Sequence, residues 1–488
     1  MGHVGPALQM EEAVRLPPPR RNRLPDRPDV VFILADQLRA SSLPTYGESQ
    51  IETPNIRRLA NEGDCFTNAI ASCPVCAPFR SMLVTGRHPQ TTGHVLNFVR
   101  TRHDEIGIGD AFARAGYRTA WAGKWHLHTG AFPNNDVKDW VPEGRDRLGF
   151  QFWRAYNFHM TYFQGWVHAK DWRCEQWEGY ETEALSRHAF QFMDGAGDEP
   201  FILFLSPHQP HGTSPAFAPR ACYDRLPAVL ELPENVPAEL CATSLEMYRH
   251  YLAMIIALDD MVGEVLTYLD RTGRTGNTIV VFASDHGTQA GAHGIDPWQK
   301  MAPYEESIRI PLIMRWPGVL QGGLSRDTLV APVDLFPSLC SLCGVPVPRT
   351  VEGFDLSAAW RSAPGAFEQD AVLTMGFSAA FDWLVSGNEW RGVRTKAHSY
   401  ARWLDGRAEL YDLERDPLQM SNLAGQAEHV RLERELEQRL RELMAARHDN
   451  LVPCTSYASW SDSYRRVIRN VHGELGHPED PPDWSLLS

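Results

Sequence analysis

The chain has 488 residues, 43% hydrophobic and 22% charged, the balance of an ordinary globular protein with one large domain and a smaller one. A net charge of −14 argues against a nucleic-acid partner, which demands a basic face. No run approaches the roughly 18 consecutive apolar residues of a membrane span, so no membrane partner is expected.

Residues 1–28 are rich in Pro and Arg and are expected to form an extended arm. They carry no apolar h-region, so no signal peptide is read there. The nine cysteines show no disulfide spacing, and a cytoplasmic setting is expected. Asp29 to Ala35 is a continuous apolar run and predicts a buried, parallel-type strand ending at Asp36-Gln37. A helix over 54–62 follows, with Thr53 as its N-cap. The alternation continues with a helix near 106–116 and strands near 117–122 and 201–205. A helix over 243–271 and strands at 278–283 and 310–315 complete it. Alternating strands and helices predict an α/β fold with a mainly parallel sheet over 29–365. Cys340 and Cys343 have C-x-x-C spacing but fall in an apolar helical pattern, which reads as buried helix cysteines.

Beyond residue 365 the texture changes to short strands near 371–376, 391–395, 398–403 and 408–412. A charged helix follows, with Leu432, Leu436, Leu440 and Leu443 in one stripe. Residues 366–450 are therefore expected to form a smaller α+β subdomain. The tail, 451–488, is expected to wrap the body or to meet another subunit in a homo-oligomer.

The chemistry gathers at strand ends, where open α/β sheets place their ligands. Asp36-Gln37 follows the first strand and Asp285-His286-Gly287 follows another. Two carboxylates, an amide carbonyl and an imidazole suit one divalent cation, although Asp and Gly also commonly close strands. Pro207-His208-Gln209-Pro210 sets a histidine at a third strand end, a candidate acid or base or a plain capping group. Only five lysines stand against 42 arginines among the 47 basic residues. Lys124 and Lys300, in motif-like settings, therefore read as positions that need a compact ammonium. Cys76-Ala77-Pro78-Phe79-Arg80, closed by Leu83-Val84-Thr85-Gly86-Arg87, suits either a structural loop with a buried cysteine or a modified nucleophile.

Taken together, these segments resemble the sulfatase family, of the alkaline phosphatase superfamily. Cys76 to Arg87 is similar to its C-x-P-x-R signature, Gly123 to Leu127 to its G-K-W-H-L block, and Pro207 to Pro210 to its P-H-x-P. Asp285 to Gly287 matches D-H-G, Lys300 to Ile313 matches K-x-x-x-Y-E-E-S-x-R-x-P-L-I, and Arg394-Thr395 to Asn422-Leu423 resembles the C-terminal subdomain. The likeness runs in order from about residue 29 to 425. Two positions depart from it: Gln37 stands where many sulfatases have a second Asp, and Phe79 replaces the usual Ser or Ala. Related phosphonate monoester hydrolases and phosphodiesterases usually lack the lysine and histidine of G-K-W-H. Lys124 and His126 thus favour a sulfatase over that alternative.

The resemblance implies an alkaline-phosphatase-like fold and hydrolysis of a small sulfate monoester. It also implies that a maturation enzyme converts Cys76 to formylglycine. The hydrated aldehyde has two hydroxyls, one to attack sulfur and one to expel the sulfate. One metal, Ca²⁺ by default with Mn²⁺ as the alternative, is implied on Asp36, Gln37, Cys76, Asp285 and His286. Arg80 would help to hold the nucleophilic hydroxyl and orient the sulfate. Lys124, Lys300 and His208 would hold sulfate oxygens, with His208 or Lys300 protonating the leaving alcohol. Asp285 is implied as base for the attacking hydroxyl and His126 for the second. A non-catalytic binding protein with Cys76 left as a thiol is the remaining alternative. The aromatics at 140–180 read mostly as core.

Overall fold

Strand β1, Asp29–Ala35, is buried along its whole length and lies near the middle of the principal sheet. The computed structural model describes residues 27–129, 139–212 and 217–487, so nearly all of the expected N-terminal arm lies outside the described residues. Because successive side chains of a strand alternate faces, Val31, Ile33 and Ala35 enter one apolar core. Val30, Phe32 and Leu34 enter another on the opposite face. This is why the run shows no polar alternation in sequence.

Nine further strands complete that sheet: β2 (Asp64–Ile70), β3 (Arg118–Lys124), β4 (Phe152–Tyr156), β5 (Trp166–His168), β6 (Cys174–Gln176), β7 (Phe201–Ser206), β8 (Thr278–Ser284), β9 (Arg309–Arg315) and β10 (Ser325–Val330). Their order is β10-β2-β9-β8-β1-β7-β3-β4-β5-β6. The centre, β8-β1-β7-β3-β4, is parallel, and β9, β5 and β6 run antiparallel to their neighbours. The parallel centre brings the carboxyl ends of β1, β3, β7 and β8 to one edge. Strands β2, β4, β5, β6 and β10 have no counterpart in the sequence reading. They are short, half-exposed or interrupted by register shifts, so their periodicity is weak.

Helices cover both faces. The long helix Cys241–Arg271 packs with Pro54–Glu62 and Glu181–Ala196 on one side; Cys76–Thr85, Ile108–Arg114 and Pro332–Cys343 lie on the other. Thr53 precedes the helix Pro54–Glu62, but its side chain makes no capping bond. Asp259, from the long helix, does that work instead, accepting the amides of Asn55 at 3.0 Å and Ile56 at 2.7 Å. A tertiary contact has replaced the local cap. Cys340 and Cys343 are free and buried in their helix, as expected.

The smaller subdomain is an antiparallel sheet, β11 (Ala371–Gly376), β12 (Trp390–Thr395), β13 (His398–Trp403) and β14 (Ala408–Asp412), backed by the helix Val430–Ala445. That helix buries Leu436, Leu440 and Met444, while Leu432 and Leu443 of the predicted stripe are only partly buried. The subdomain grips the large sheet through Met375 N–H to Ser72 O, 2.7 Å, and through Arg394, whose guanidinium donates to Glu305 at 2.9 Å and Asn68 at 3.1 Å. The tail lies across its own chain's body. Arg102 donates to the carbonyls of Val467 and Gly476, and Arg114 and Arg145 sit over the Trp484 ring. Among the described residues no helix is long and apolar enough to cross a membrane.

Candidate active site

The helix Cys76–Thr85 begins at the edge where the parallel strands end, with Cys76 as its first residue. Pro78 sits in the first turn, where its missing N–H leaves no intrahelical bond unmade. The free amide of Ala77 is taken by Asn97 Oδ1 at 3.0 Å. This pins the helix start, and with it the Cys76 side chain, over the ends of β1 and β8.

Cys76 Sγ lies 3.2 Å from His286 Nε2, 3.8 Å from Asp36 Oδ1 and 3.6 Å from Lys300 Nζ. Donor atoms of Asp36, Cys76, Asp285 and His286 all fall within 4.8 Å of one another, and all four residues are buried. His286 Nδ1 is 2.8 Å from the carbonyl of Gly287, which can only accept, so Nδ1 carries the proton and Nε2 presents a lone pair to the cluster. Burial pushes the His286 imidazole down to about 4, which keeps that lone pair free. Gly287 is required here because a Cβ would stand 1.9 Å from the Glu306 carbonyl oxygen. The donor set of carboxylate, imidazole and amide oxygen fits one divalent cation.

Arg80, wholly buried, aligns the two carboxylates. It donates to Asp285 Oδ2 at 3.1 Å, Asp36 Oδ2 at 3.3 Å, Ser206 Oγ at 2.8 Å and the Lys124 carbonyl at 2.9 Å. Lys124 Nζ also binds Asp36. Burial alone would raise the Asp36 carboxyl, but Lys124, His211 and Arg80 hold it well below the usual range. Lys124 reaches this position because Gly123 has φ +101° and lets β3 approach β7; a Cβ there would meet the Ser206 carbonyl at 2.2 Å. The Cys76 thiol is pushed up to about 11 by burial and by Asp36, so as a thiol it stays protonated.

Gln37 has φ +67° and its amide N–H donates to Asp285 Oδ1 at 3.0 Å. His126 and His208 are buried beside this cluster but hydrogen-bond to none of its members. His126 is flanked by Phe98 and Phe158, at 5.0 and 4.8 Å between ring centroids, and neither ring nitrogen has a hydrogen-bond partner among the described residues. Burial, then Lys124 and Arg80, hold its imidazole far below the ordinary value. His208 stacks on Tyr156 at 5.0 Å, with Nδ1 2.7 Å from the phenol oxygen and 3.3 Å from Glu181 Oε1. His211 Nε2 is 3.2 Å from Lys300 Nζ. Tyr156, Glu181, Ser206 and His211 were not singled out by the sequence. Tyr156 is hidden among aromatics, and Glu181 looks like any acidic residue in a first helical turn. His211, three residues after His208, was the one with a visible signal.

Residues 28–345 match the sulfatase family. The chain belongs to the sulfatase family, in the alkaline phosphatase superfamily. Residues 291–446 also match the C-terminal region of N-sulphoglucosamine sulphohydrolase. This sulfatase is 34% identical over 429 residues to the ulvan-active sulfatase of Formosa agariphila, covering 86% of this chain and 82% of that one. It is 28% identical to the endo-4-O-sulfatase of Bacteroides thetaiotaomicron, over 82% of this chain and 88% of the other. Among solved structures, the Bacteroides fragilis protein yidJ aligns with a TM-score of 0.78 at 28% identity, covering 90% of this sulfatase and 99% of its counterpart. The phosphonate monoester hydrolase of Agrobacterium radiobacter shares the fold, with a TM-score of 0.68 at 20% identity over 92% and 100% of the two chains. The two family matches overlap around Glu305. There the Y-E-E-S segment of one lobe pairs with Arg394 of the other.

Proposed function

We propose that this sulfatase hydrolyses a carbohydrate sulfate monoester through formylglycine at position 76, assisted by one divalent cation. The observation that carries the reading is the setting of Cys76: a thiol pushed up to about 11, yet surrounded at 3.2 to 3.8 Å by His286, Lys300 and Asp36. A thiol held protonated is a poor nucleophile. Its Sγ stands in for an oxygen of the hydrated aldehyde, which supplies two geminal hydroxyls, one to attack sulfur and one to release sulfate. The carbohydrate class is supported by the names of the relatives, among them an ulvan-active sulfatase and an N-acetylglucosamine-6-O-sulfatase.

A cation held by Asp36, Gln37, Asp285 and His286, Ca²⁺ by default, supplies Lewis-acid stabilisation of negative charge at the site. The chain's own residues do the rest. Lys124 and Lys300 put two ammonium groups against a tetrahedral anion, at Asp36 and Gln37. Arg80 acts by orienting both carboxylates, since its hydrogen bonds go to protein groups. Asp285 takes the proton of the attacking hydroxyl, and neutral His126 accepts the second. His208 gives a proton to the leaving oxygen through Nε2, which has no partner among the described residues.

Two measurements test this. Conversion lowers the intact mass by about 18 Da, as oxygen replaces sulfur with loss of two hydrogens. Converted protein should turn over 4-nitrophenyl sulfate faster than the matching phenyl phosphonate ester. Unconverted protein with full turnover, or faster phosphonate hydrolysis, overturns the reading.

A further inference from the structure

We propose that Glu181 and Tyr156 act as a positioning pair for His208, fixing which ring nitrogen faces the leaving oxygen. The inference rests on the sulfatase reading of the site.

Glu181 opens the helix Glu181–Ala196 and is wholly buried. An acid in a first helical turn is ordinary, because it complements the helix dipole. This carboxylate is turned elsewhere. Oε1 accepts from the Tyr156 hydroxyl and lies 3.3 Å from His208 Nδ1, and Oε2 accepts from Gln209 Nε2 at 3.1 Å. Among the described residues Glu181 forms no ion pair with lysine or arginine; His208 is its one basic partner at bonding distance. A buried carboxylate without a permanent cation is costly, so its retention beside a histidine points to a histidine that becomes charged.

The hydrogen-bond inventory fixes the tautomer. The phenol has one proton and gives it to Glu181, so Tyr156 oxygen must accept from His208, and Nδ1 must carry a hydrogen. The exchangeable position is then Nε2; burial lowers the imidazole and the Glu181 carboxylate opposes that fall, with Lys124 and Asp36 the next charged groups around the ring. As the sulfur–oxygen bond breaks, the Nε2 proton passes to the leaving oxygen and takes up its electron pair. His208 is left neutral with Nδ1–H still on Tyr156. Solvent reloads Nε2, and Glu181 opposes the imidazolium charge. Stacking of the two rings, 8° from parallel, keeps the imidazole from turning over.

Glu181→Gln tests this with little change of shape, because Gln209 Oε1 has no partner among the described residues and its amide can turn to meet the new one. With conversion at position 76 verified, kcat and KM are measured on an alkyl or sugar sulfate and on 4-nitrophenyl sulfate. The expected result is a roughly 10- to 100-fold fall in kcat on the alkyl ester, below the 10²–10⁴ attributed to a whole general acid. The fall on the nitrophenyl ester should be at least about tenfold smaller, with KM little changed, because a good leaving group needs less proton donation. Combined with His208→Ala, Glu181→Gln should add no further loss, since it acts through that ring. Tyr156→Phe should give the same selective pattern, and it carries the test if the first variant does not fold. Equal losses on both esters, or losses that add to those of His208→Ala, overturn the proposal. A wild type that turns over neither sulfate overturns the sulfatase reading itself, before any variant is made.

Discussion

Lys300 Nζ donates to the side-chain oxygen of Gln37 at 2.9 Å. The other end of that amide is held by Thr288 Oγ1 at 3.0 Å and by the Trp298 carbonyl at 2.9 Å. A carbonyl can only accept, so the amide nitrogen must face Trp298 and the oxygen must face the cluster. The side-chain oxygen of Gln37 is thus turned toward Lys300 by groups outside the cluster. The residue that departs from the usual second Asp is built into its neighbourhood rather than merely tolerated.

Gln37→Glu should therefore destabilise the protein. One carboxylate oxygen would face the Trp298 carbonyl without a proton between them, at a cost of about 1–3 kcal/mol. Urea denaturation of the metal-free protein measures it. An unchanged midpoint would mean that this amide is not oriented by Trp298.

Cys76→Ala should abolish turnover and leave the circular dichroism spectrum and melting temperature close to wild type, because the side chain is small and other residues hold the helix start. Cys76→Ser should give one stoichiometric burst of alcohol with no steady state, since a sulfated serine lacks the second hydroxyl for release. Multiple turnovers by either variant would remove residue 76 from the chemistry.

Metal affinity should respond unequally to the two strand-end motifs. Asp285→Asn removes a charge and also weakens the holds on the Gln37 backbone N–H and on Arg80. Gln37→Asn only shortens a neutral ligand. Calcium titration followed by calorimetry should show the larger loss for Asp285→Asn, by at least about tenfold. The reverse order would place the cation away from Asp285.

The entry to the helix Pro54–Glu62 offers a test of long-range capping. Thr53→Ala should be nearly neutral, whereas a working N-cap loses about 0.5–2 kcal/mol. Asp259→Ala should cost about 1–3 kcal/mol by leaving the Asn55 and Ile56 amides without partners. Burial raises the Asp259 carboxyl to about 6, against the amides that lower it. The folded state thus binds this proton more tightly than the unfolded chain. The stability it contributes is complete below about pH 3.8 and is lost as pH rises through about 6. Asp259→Asn should accordingly gain on wild type between pH 4 and 7, as read from denaturation midpoints. A constant difference across that range would refute the shift.

The parts of the fold legible in the sequence were those with strong, local periodicity. The strand Asp29–Ala35, the helix Cys241–Arg271 and the four C-terminal strands lie within a residue or two of where the pattern puts them. Strands β5 and β6, three residues each, have too little length to show a period. In the site, Asp36, Cys76, Asp285 and His286 were visible because each sits where the chain turns out of a strand or into a helix. Glu181 is 27 residues from His208 and meets it only across the fold, so no spacing announces the pair. Thr53 shows the same limit from the other side, because a plausible local cap was displaced by Asp259, 204 residues from the Asn55 amide it holds.

Cys76 is 1% exposed, enclosed by the carboxyl ends of four strands and by a loop that the C-terminal sheet holds through Trp390 and Met301. A catalyst that must replace this sulfur with oxygen would not reach it in the finished molecule. The conversion proposed at this position therefore belongs to the life of the unfolded chain, and it runs against the clock of folding. Any change that speeds closure of the sheet would shorten that interval and yield a larger share of well-folded, permanently inert molecules. Expression conditions would then set specific activity as strongly as any active-site residue does.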